Sequence, residues 1–229
     1  MTDVEAAFQN LIQRVNRHFV LEAVALDPAL AEPSSFLKIL KARHHNWRAA
    51  GLRKVFGMRF TVKIPSLDQM NLIIYPEARF DTPVFLMFCL VTGRKVICHV
   101  NVNCTRRDPE YIARWVAPLV DIQRQFGSFD CDDRYPEWML RWRTPAGIYG
   151  MFPKERMGDF IRCGTAYLDH YLALAAAAEP VTDTARLVEI QTAHDQFVSD
   201  IRTQDKAQSM IAKMIGADKA RRIFYEITT

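Results

Sequence analysis

Val84-Phe85-Leu86-Met87-Phe88-Cys89-Leu90-Val91-Thr92-Gly93-Arg94-Lys95-Val96-Ile97-Cys98-His99-Val100-Asn101-Val102-Asn103 holds two strands and the turn between them. The run Val84 to Val91 is apolar throughout, far too short to span a bilayer, and of the length of a buried strand. Lys95 to Asn103 alternates instead, so its two faces differ. Thr92-Gly93-Arg94 supplies a tight hairpin turn. Upstream, Phe36 to Arg43, Val55 to Ile64 and Met70 to Tyr75 read as further strands, although the apolar spacing of the first also suits a short helix. Consecutive strands on short links predict an antiparallel meander.

Away from this block the spacing changes. Val4, Ala7, Phe8, Leu11, Ile12, Val15 and Phe19 recur at helical intervals and predict an amphipathic first helix. Leu26 to Ser35, with two prolines, reads as a loop. Asp108-Pro109-Glu110 is a helix start, with Asp as cap and Pro at the first helical position; that helix should reach Phe126, kinked near Pro118 and stopped by Gly127. Residues 128 to 145 look irregular, and Gly147 to Phe152 suggests a short strand. Glu155 to Ala178 and Asp183 to Thr203 read as long helices, followed by a pair from Gln208 to Ile215 and Asp218 to Ile227 split by Gly216. Strands first, then helices, with one helix leading, predict an α+β fold: a three-layer α/β/α sandwich around a central antiparallel sheet, as one domain over residues 1–229.

At 49% hydrophobic and 24% charged, the composition is that of an ordinary globular protein. The first residues lack a basic-then-apolar leader, and the five cysteines are odd in number with no C-x-x-C pair. Both features predict a cytoplasmic protein with reduced thiols, and neither zinc nor an iron–sulfur cluster is encoded. Net charge is only +4, but Lys38, Lys41, Arg43, Arg48, Arg53, Lys54, Arg59 and Lys63 fall between Pro33 and Leu67 with no acid among them. Such a block attracts an acidic partner. Neither G-x-G-x-x-G nor G-x-x-x-x-G-K-[ST] is present, nor are H-E-x-x-H and G-x-S-x-G, so nicotinamide, P-loop, zincin and hydrolase chemistry find no support. His44 and His45 are adjacent, and in an extended segment they face opposite sides, which disfavours a metal pair.

Four short patches carry a more specific signal: Tyr75 to Phe85, Pro136-Glu137-Trp138, Gln204-Asp205-Lys206 and Arg221 to Ile227. In these the chain resembles the ferredoxin-dependent bilin reductases, over about residues 36 to 227. That resemblance implies the α/β/α sandwich, a linear tetrapyrrole such as biliverdin as substrate, no bound cofactor, and single electrons delivered by an acidic ferredoxin. The donor would dock near Lys38, Arg48, Arg53 and Lys54, with no membrane or nucleic acid involved. It also implies roles residue by residue. Asp205 matches the aspartate that serves the pigment as proton donor, a task suited to a carboxylic acid beside a one-electron-reduced radical anion. The same residue is well placed to cap the following helix. Lys206 matches a propionate contact, and Arg134 lies within one position of another, because a fixed cation binds a carboxylate through charge-assisted hydrogen bonds. Trp138 matches an aromatic at the pocket border.

On the sheet side the chain departs from the family. Asn71 stands where members carry histidine or asparagine under the pigment, and an amide orients a pyrrole or water without acting as an acid. Phe88 replaces the central catalytic aspartate, and Met58 falls near a family glutamate. Neither Phe nor Met transfers protons, which leaves Asp205 with water, or a different substrate, or a bilin-binding protein without catalysis. His99 and Asn103 on the next strand are conceivable substitutes for the missing acid. A nucleic-acid module built on the basic segment with His44, Trp47 and Phe56 interleaved is the rival from another class; it predicts steeply salt-dependent binding.

Overall fold

A computed structural model describes residues 3–34, 39–129 and 135–229. The strands are β1 (Glu22–Val24), β2 (Leu40–Ala49), β3 (Leu52–Val62), β4 (Leu67–Pro76), β5 (Val84–Thr92), β6 (Lys95–Asn103) and β7 (Ile148–Pro153). They form one seven-stranded sheet in chain order, every neighbour antiparallel. The hairpin between β5 and β6 closes through Gly93 and Arg94, with Gly93 at φ 47°, where a residue without Cβ sits unstrained.

The helices are α1 (Asp3–His18), α2 (Pro28–Ala31), α3 (Pro109–Trp115), α4 (Ala117–Phe126), α5 (Met157–Ala176), α6 (Thr184–Gln204), α7 (Ala207–Ile215) and α8 (Ala217–Arg222), the last running on into π-helical turns at Ile223–Thr228. The predicted helix over 108–126 is two: Asp108 caps α3 by accepting from the Tyr111 amide, and the chain breaks at Val116 because Pro118 removes a donor from the first turn of α4. The predicted loop over 26–35 contains α2, capped by Asp27. The strand expected at Phe36 to Arg43 runs instead from Leu40 to Ala49; residues 35–38 lie outside the described residues. β1 carries too little apolar patterning to be read from sequence.

Two apolar layers separate the sheet from its helices. On one face Val4, Phe8, Leu11 and Val15 of α1, Trp115 of α3 and Phe160, Tyr167 and Tyr171 of α5 bury against Met70, Leu72, Ile74, Phe85, Met87, Cys98 and Val100. Each such large side chain contributes about 1.5–3 kcal/mol. The helices come very close: a Cβ at Gly57 would stand 2.9 Å from Phe8 Cζ, and one at Gly164 would stand 2.7 Å from Met87 Sδ. On the other face Leu40, Ala42, Phe56, Met58, Phe60, Ile73, Tyr75 and Val84 meet Phe197, Ile201, Ile223, Phe224 and Ile227. The chain is thus an α/β/α sandwich with helices on both sides of an antiparallel sheet. Among the described residues no helix is long and apolar enough to cross a membrane.

Candidate functional site

The second face carries the polar residues. Strand pairing aligns His44 with Met58, Met58 with Asn71, Asn71 with Phe88, Phe88 with His99, and His99 with Tyr149. Because side chains alternate along a strand and Met58 belongs to the apolar layer under α6–α8, all six point to that side. Three residues taken separately from the sequence, Met58, Asn71 and Phe88, are therefore consecutive members of one row.

The row is chemically uneven. At its β2 end His44 Nδ1 sits 2.7 Å from the Leu30 carbonyl, and burial pushes its pKa down to about 4. In its middle, Asn71 Oδ1 and His99 Nε2 are buried without a hydrogen-bond partner. Burial alone drives His99 down to about 3, so its ring is neutral. Tyr149 stands edge-on to His99, with centroids 5.2 Å apart at 80°, and Tyr135 does so at 5.9 Å and 89°. Further along β6, Asn103 Nδ2 donates to the Val84 carbonyl at 3.1 Å and its Oδ1 accepts from Asn101 Nδ2 at 3.1 Å. Asn103 is thereby committed to the framework, which leaves His99 as the substitute with a free valence.

The covering helices supply the opposite wall. Asp205 closes α6, and its Oδ1 accepts the Ala207 amide at 2.8 Å, so it shapes the turn into α7. Burial raises its pKa above the usual carboxylate value, against the opposing pull of that amide. Its charge also contributes to the raised pKa of Tyr149, second to the burial of that phenol, which places Asp205 near the β7 end of the row. Lys206 is exposed at the start of α7. Trp138 lies in a 3₁₀ turn (Glu137–Met139) and packs, half-buried, against the same apolar layer. Arg134 and Lys38 lie outside the described residues.

Sequence reading missed Asp200. It is 8% exposed on α6, and its Oδ2 accepts the Trp142 indole N–H while Oδ1 accepts from Gln196. A carboxylate three residues after Phe197 and just before Ile201, on the apolar stripe of that helix, was the available signal.

The basic segment does not form one patch, because successive residues of a strand face opposite sides. Arg43 and Arg59 turn toward α1 and share Glu5, and Arg59 also pairs with Asp68. Arg53 and Lys54 bind the C-terminal backbone instead: Lys54 Nζ donates to the Ile227 carbonyl at 3.2 Å, and Arg53 Nη1 reaches the Thr229 carbonyl at 3.5 Å. Lys41, Arg48 and Lys63 are exposed. Among the described residues no group of three or more His, Cys, Asp or Glu side chains is arranged to hold a metal ion.

Residues 8–227 match the sequence model of a family described as ferredoxin-dependent bilin reductase. Curated relatives include a 15,16-dihydrobiliverdin:ferredoxin oxidoreductase of Gloeobacter violaceus, 27% identical over 169 residues covering 68% of this chain and 65% of that protein. A phycoerythrobilin:ferredoxin oxidoreductase of Nostoc punctiforme is 27% identical over 160 residues, covering 67% of this chain and 62% of that protein. The matches thus span a little under two thirds of these relatives' lengths. In fold, the chain is similar to phytochromobilin synthase from tomato, solved in complex with biliverdin, with a TM-score of 0.90 at 15% identity over 98% of this chain and 82% of that one.

Proposed function

Since the chain belongs to the ferredoxin-dependent bilin reductases, we propose that it reduces a linear tetrapyrrole, biliverdin or a related bilin, with electrons taken one at a time from a ferredoxin-type donor. What supports this reading is that two distant patches of sequence fall on the same side of the sheet. Asn71 and Phe88 lie on the sheet row, and Asp205 lies on the helical cover near the end of that row.

Saturating one double bond takes two electrons and two protons. Each electron leaves an anionic pigment radical or anion that needs a proton, and Asp205 is the carboxylic acid to which the family likeness assigns that task. Its burial raises its hold on the proton, so more of it is in the donating form at a given pH. Phe88 offers an apolar contact where the family has its central acid, so in this reading Asp205 carries the proton supply, recharged from water. Asn71 Oδ1 can accept only from a donor, which suits a pyrrole N–H. Lys206, with Arg134, would hold the propionates, and Trp138 would border the pigment. The donor, acidic in this reading, would be steered by the exposed cations Lys41, Arg48 and Lys63 rather than by Arg53 and Lys54, which are held by the tail.

Phe88 favours a second reading, a bilin-binding protein without turnover. Anaerobic mixing with biliverdin, then addition of reduced ferredoxin, separates the two. Donor-dependent loss of the biliverdin absorption band is expected. A spectral shift on mixing with no further change on adding the donor would overturn reduction in favour of binding.

A further inference from the structure

The family likeness assigns nothing to β6, yet β6 holds a buried polar atom without a partner. His99 is 5% exposed, its Nε2 has no hydrogen-bond partner, and its register partner is Phe88. We propose that His99 is the sheet-side hydrogen-bonding residue for the pigment in this chain, serving the middle of the row where Phe88 has removed a polar group. The proposal rests on the reading that a linear tetrapyrrole lies between the sheet and α6–α8.

Three observations support it. The first is position. Neighbouring strands are about 4.8 Å apart, so His99 stands one strand beyond Phe88 and two beyond Asn71, in the same layer of side chains. The second is orientation. Tyr149 and Tyr135 hold the imidazole edge-on from two directions and lie 4.7 Å from one another, so the ring is clamped without any hydrogen bond being used for the purpose. The third is unsatisfied valence. Asn71 Oδ1 on the same row is also unpaired, and buried polar atoms in folded proteins are nearly always paired. Asn46 Oδ1 and Tyr75 Oη on the same face are unpaired as well, but Asn71 Oδ1 and His99 Nε2 are the two that share one row, separated by one apolar residue, and that pair fits a ligand with several hydrogen-bonding atoms along a conjugated plane.

The chemistry of each orphan selects its partner. Asn71 Oδ1 accepts only and asks for an N–H. His99, neutral in this layer, presents either an acceptor for a pyrrole N–H or a donor for a lactam carbonyl, and in neither case brings a charge into the apolar space. Two other buried polar groups on this side are already engaged. Asp200 uses both oxygens on Trp142 and Gln196, and His44 is tied to the Leu30 carbonyl.

The test is a biliverdin titration of the parent, His99→Leu and His99→Gln, read by visible absorption, with a urea unfolding curve for each. His99→Leu should bind biliverdin at least tenfold more weakly and lose part of the bound-pigment spectral shift, while unfolding at an equal or higher urea midpoint because an orphaned polar atom is gone. His99→Gln, which keeps a donor and an acceptor, should retain most of the affinity. Should His99→Leu not fold, ¹⁵N-imidazole NMR of the parent serves: biliverdin should move the His99 Nε2 resonance. Equal affinity and spectrum in parent and His99→Leu, or an Nε2 resonance that biliverdin leaves in place, overturns the His99 assignment alone. A parent that does not bind biliverdin overturns the tetrapyrrole reading, and this assignment with it.

Discussion

The indole N–H of Trp142 donates to Oδ2 of Asp200 across 2.8 Å, joining the irregular stretch before β7 to the inner side of α6. The Trp142 ring stands edge-on to Phe197, with centroids 5.2 Å apart at 87°, so the hydrogen bond fixes a ring that also forms part of the apolar layer. Asp200→Ala would orphan the buried indole N–H, while the exposed Gln196 amide turns to water. We expect a loss of about 1–3 kcal/mol in unfolding free energy, with Asp200→Asn losing less because it keeps an acceptor. Urea unfolding followed by tryptophan fluorescence measures both, and an unchanged midpoint for Asp200→Ala would refute the assigned role.

Asp205→Asn should leave biliverdin affinity within a few-fold of the parent and slow reduction by about 10²–10⁴. Asparagine can still accept the Ala207 amide that Asp205 Oδ1 holds, so the turn into α7 persists while the transferable proton is lost. A bilin radical should accumulate and be visible by electron paramagnetic resonance. Turnover at the parent rate to the same product would reduce Asp205 to a turn former.

Stability should fall on mild acidification because His44 is buried and neutral. Its folded pKa, about 4, lies below the ordinary 6.5, so between those values the unfolded chain binds more protons than the folded one. Stability from this group is therefore fully present above pH 6.5 and is lost as pH falls toward 4, with a ceiling of roughly 3 kcal/mol at about 1.36 kcal/mol per unit. His99 adds a loss of the same sign. Unfolding curves at several pH values should show this slope in the parent and a shallower one in His44→Gln. Equal slopes would mean that His44 is already charged in the fold.

Arg48→Glu should slow donor-dependent reduction at low ionic strength, where the Debye length is about 10 Å or more, and the difference should fade in high salt. Lys54→Met should leave that rate alone. Lys54 is half-buried, with a pKa lowered to about 8 chiefly by desolvation, and its carbonyl partner at Ile227 is also held by Asn46 Nδ2 at 2.9 Å. Stopped-flow reduction across a salt series distinguishes the two variants. A Lys54→Met effect as large as that of Arg48→Glu would contradict this division of the basic segment.

Local patterning made much of this fold legible. Alternation over Lys95 to Asn103, the turn at Gly93 and the helical stripe from Val4 to Phe19 are each decided by residues a few positions apart, and each appears where expected. The bounds of β2 and the helix at Pro28–Ala31 were less clear, because both depend on contacts outside the segment, such as Leu30 burying against the sheet. For the site, the sequence identified the members but not their relation. That Asn71, Phe88 and His99 are successive residues of a row depends on strand register, a property of pairing across chain segments. The split of the basic segment was equally hidden, since the charges there are set by which face each residue takes and by a tail more than 170 positions away.

The strict chain order of the sheet has a consequence for how the protein opens. Each strand pairs with its sequence neighbour, and from β2 to β6 the closures are short, so the part of the row from His44 to His99 is built from local pairings, with Tyr149 added by the long connection to β7. The wall that carries Asp205 is held more loosely: α7 has no fully buried residue, whereas α5 buries Phe160, Tyr167, Tyr171 and others on the far side. Local unfolding should therefore begin at α7, and its amides should exchange with solvent well before those of β3 to β6. On the proposed reading, a planar pigment would enter and leave by the lifting of this one short helix, while the sheet keeps its own contacts.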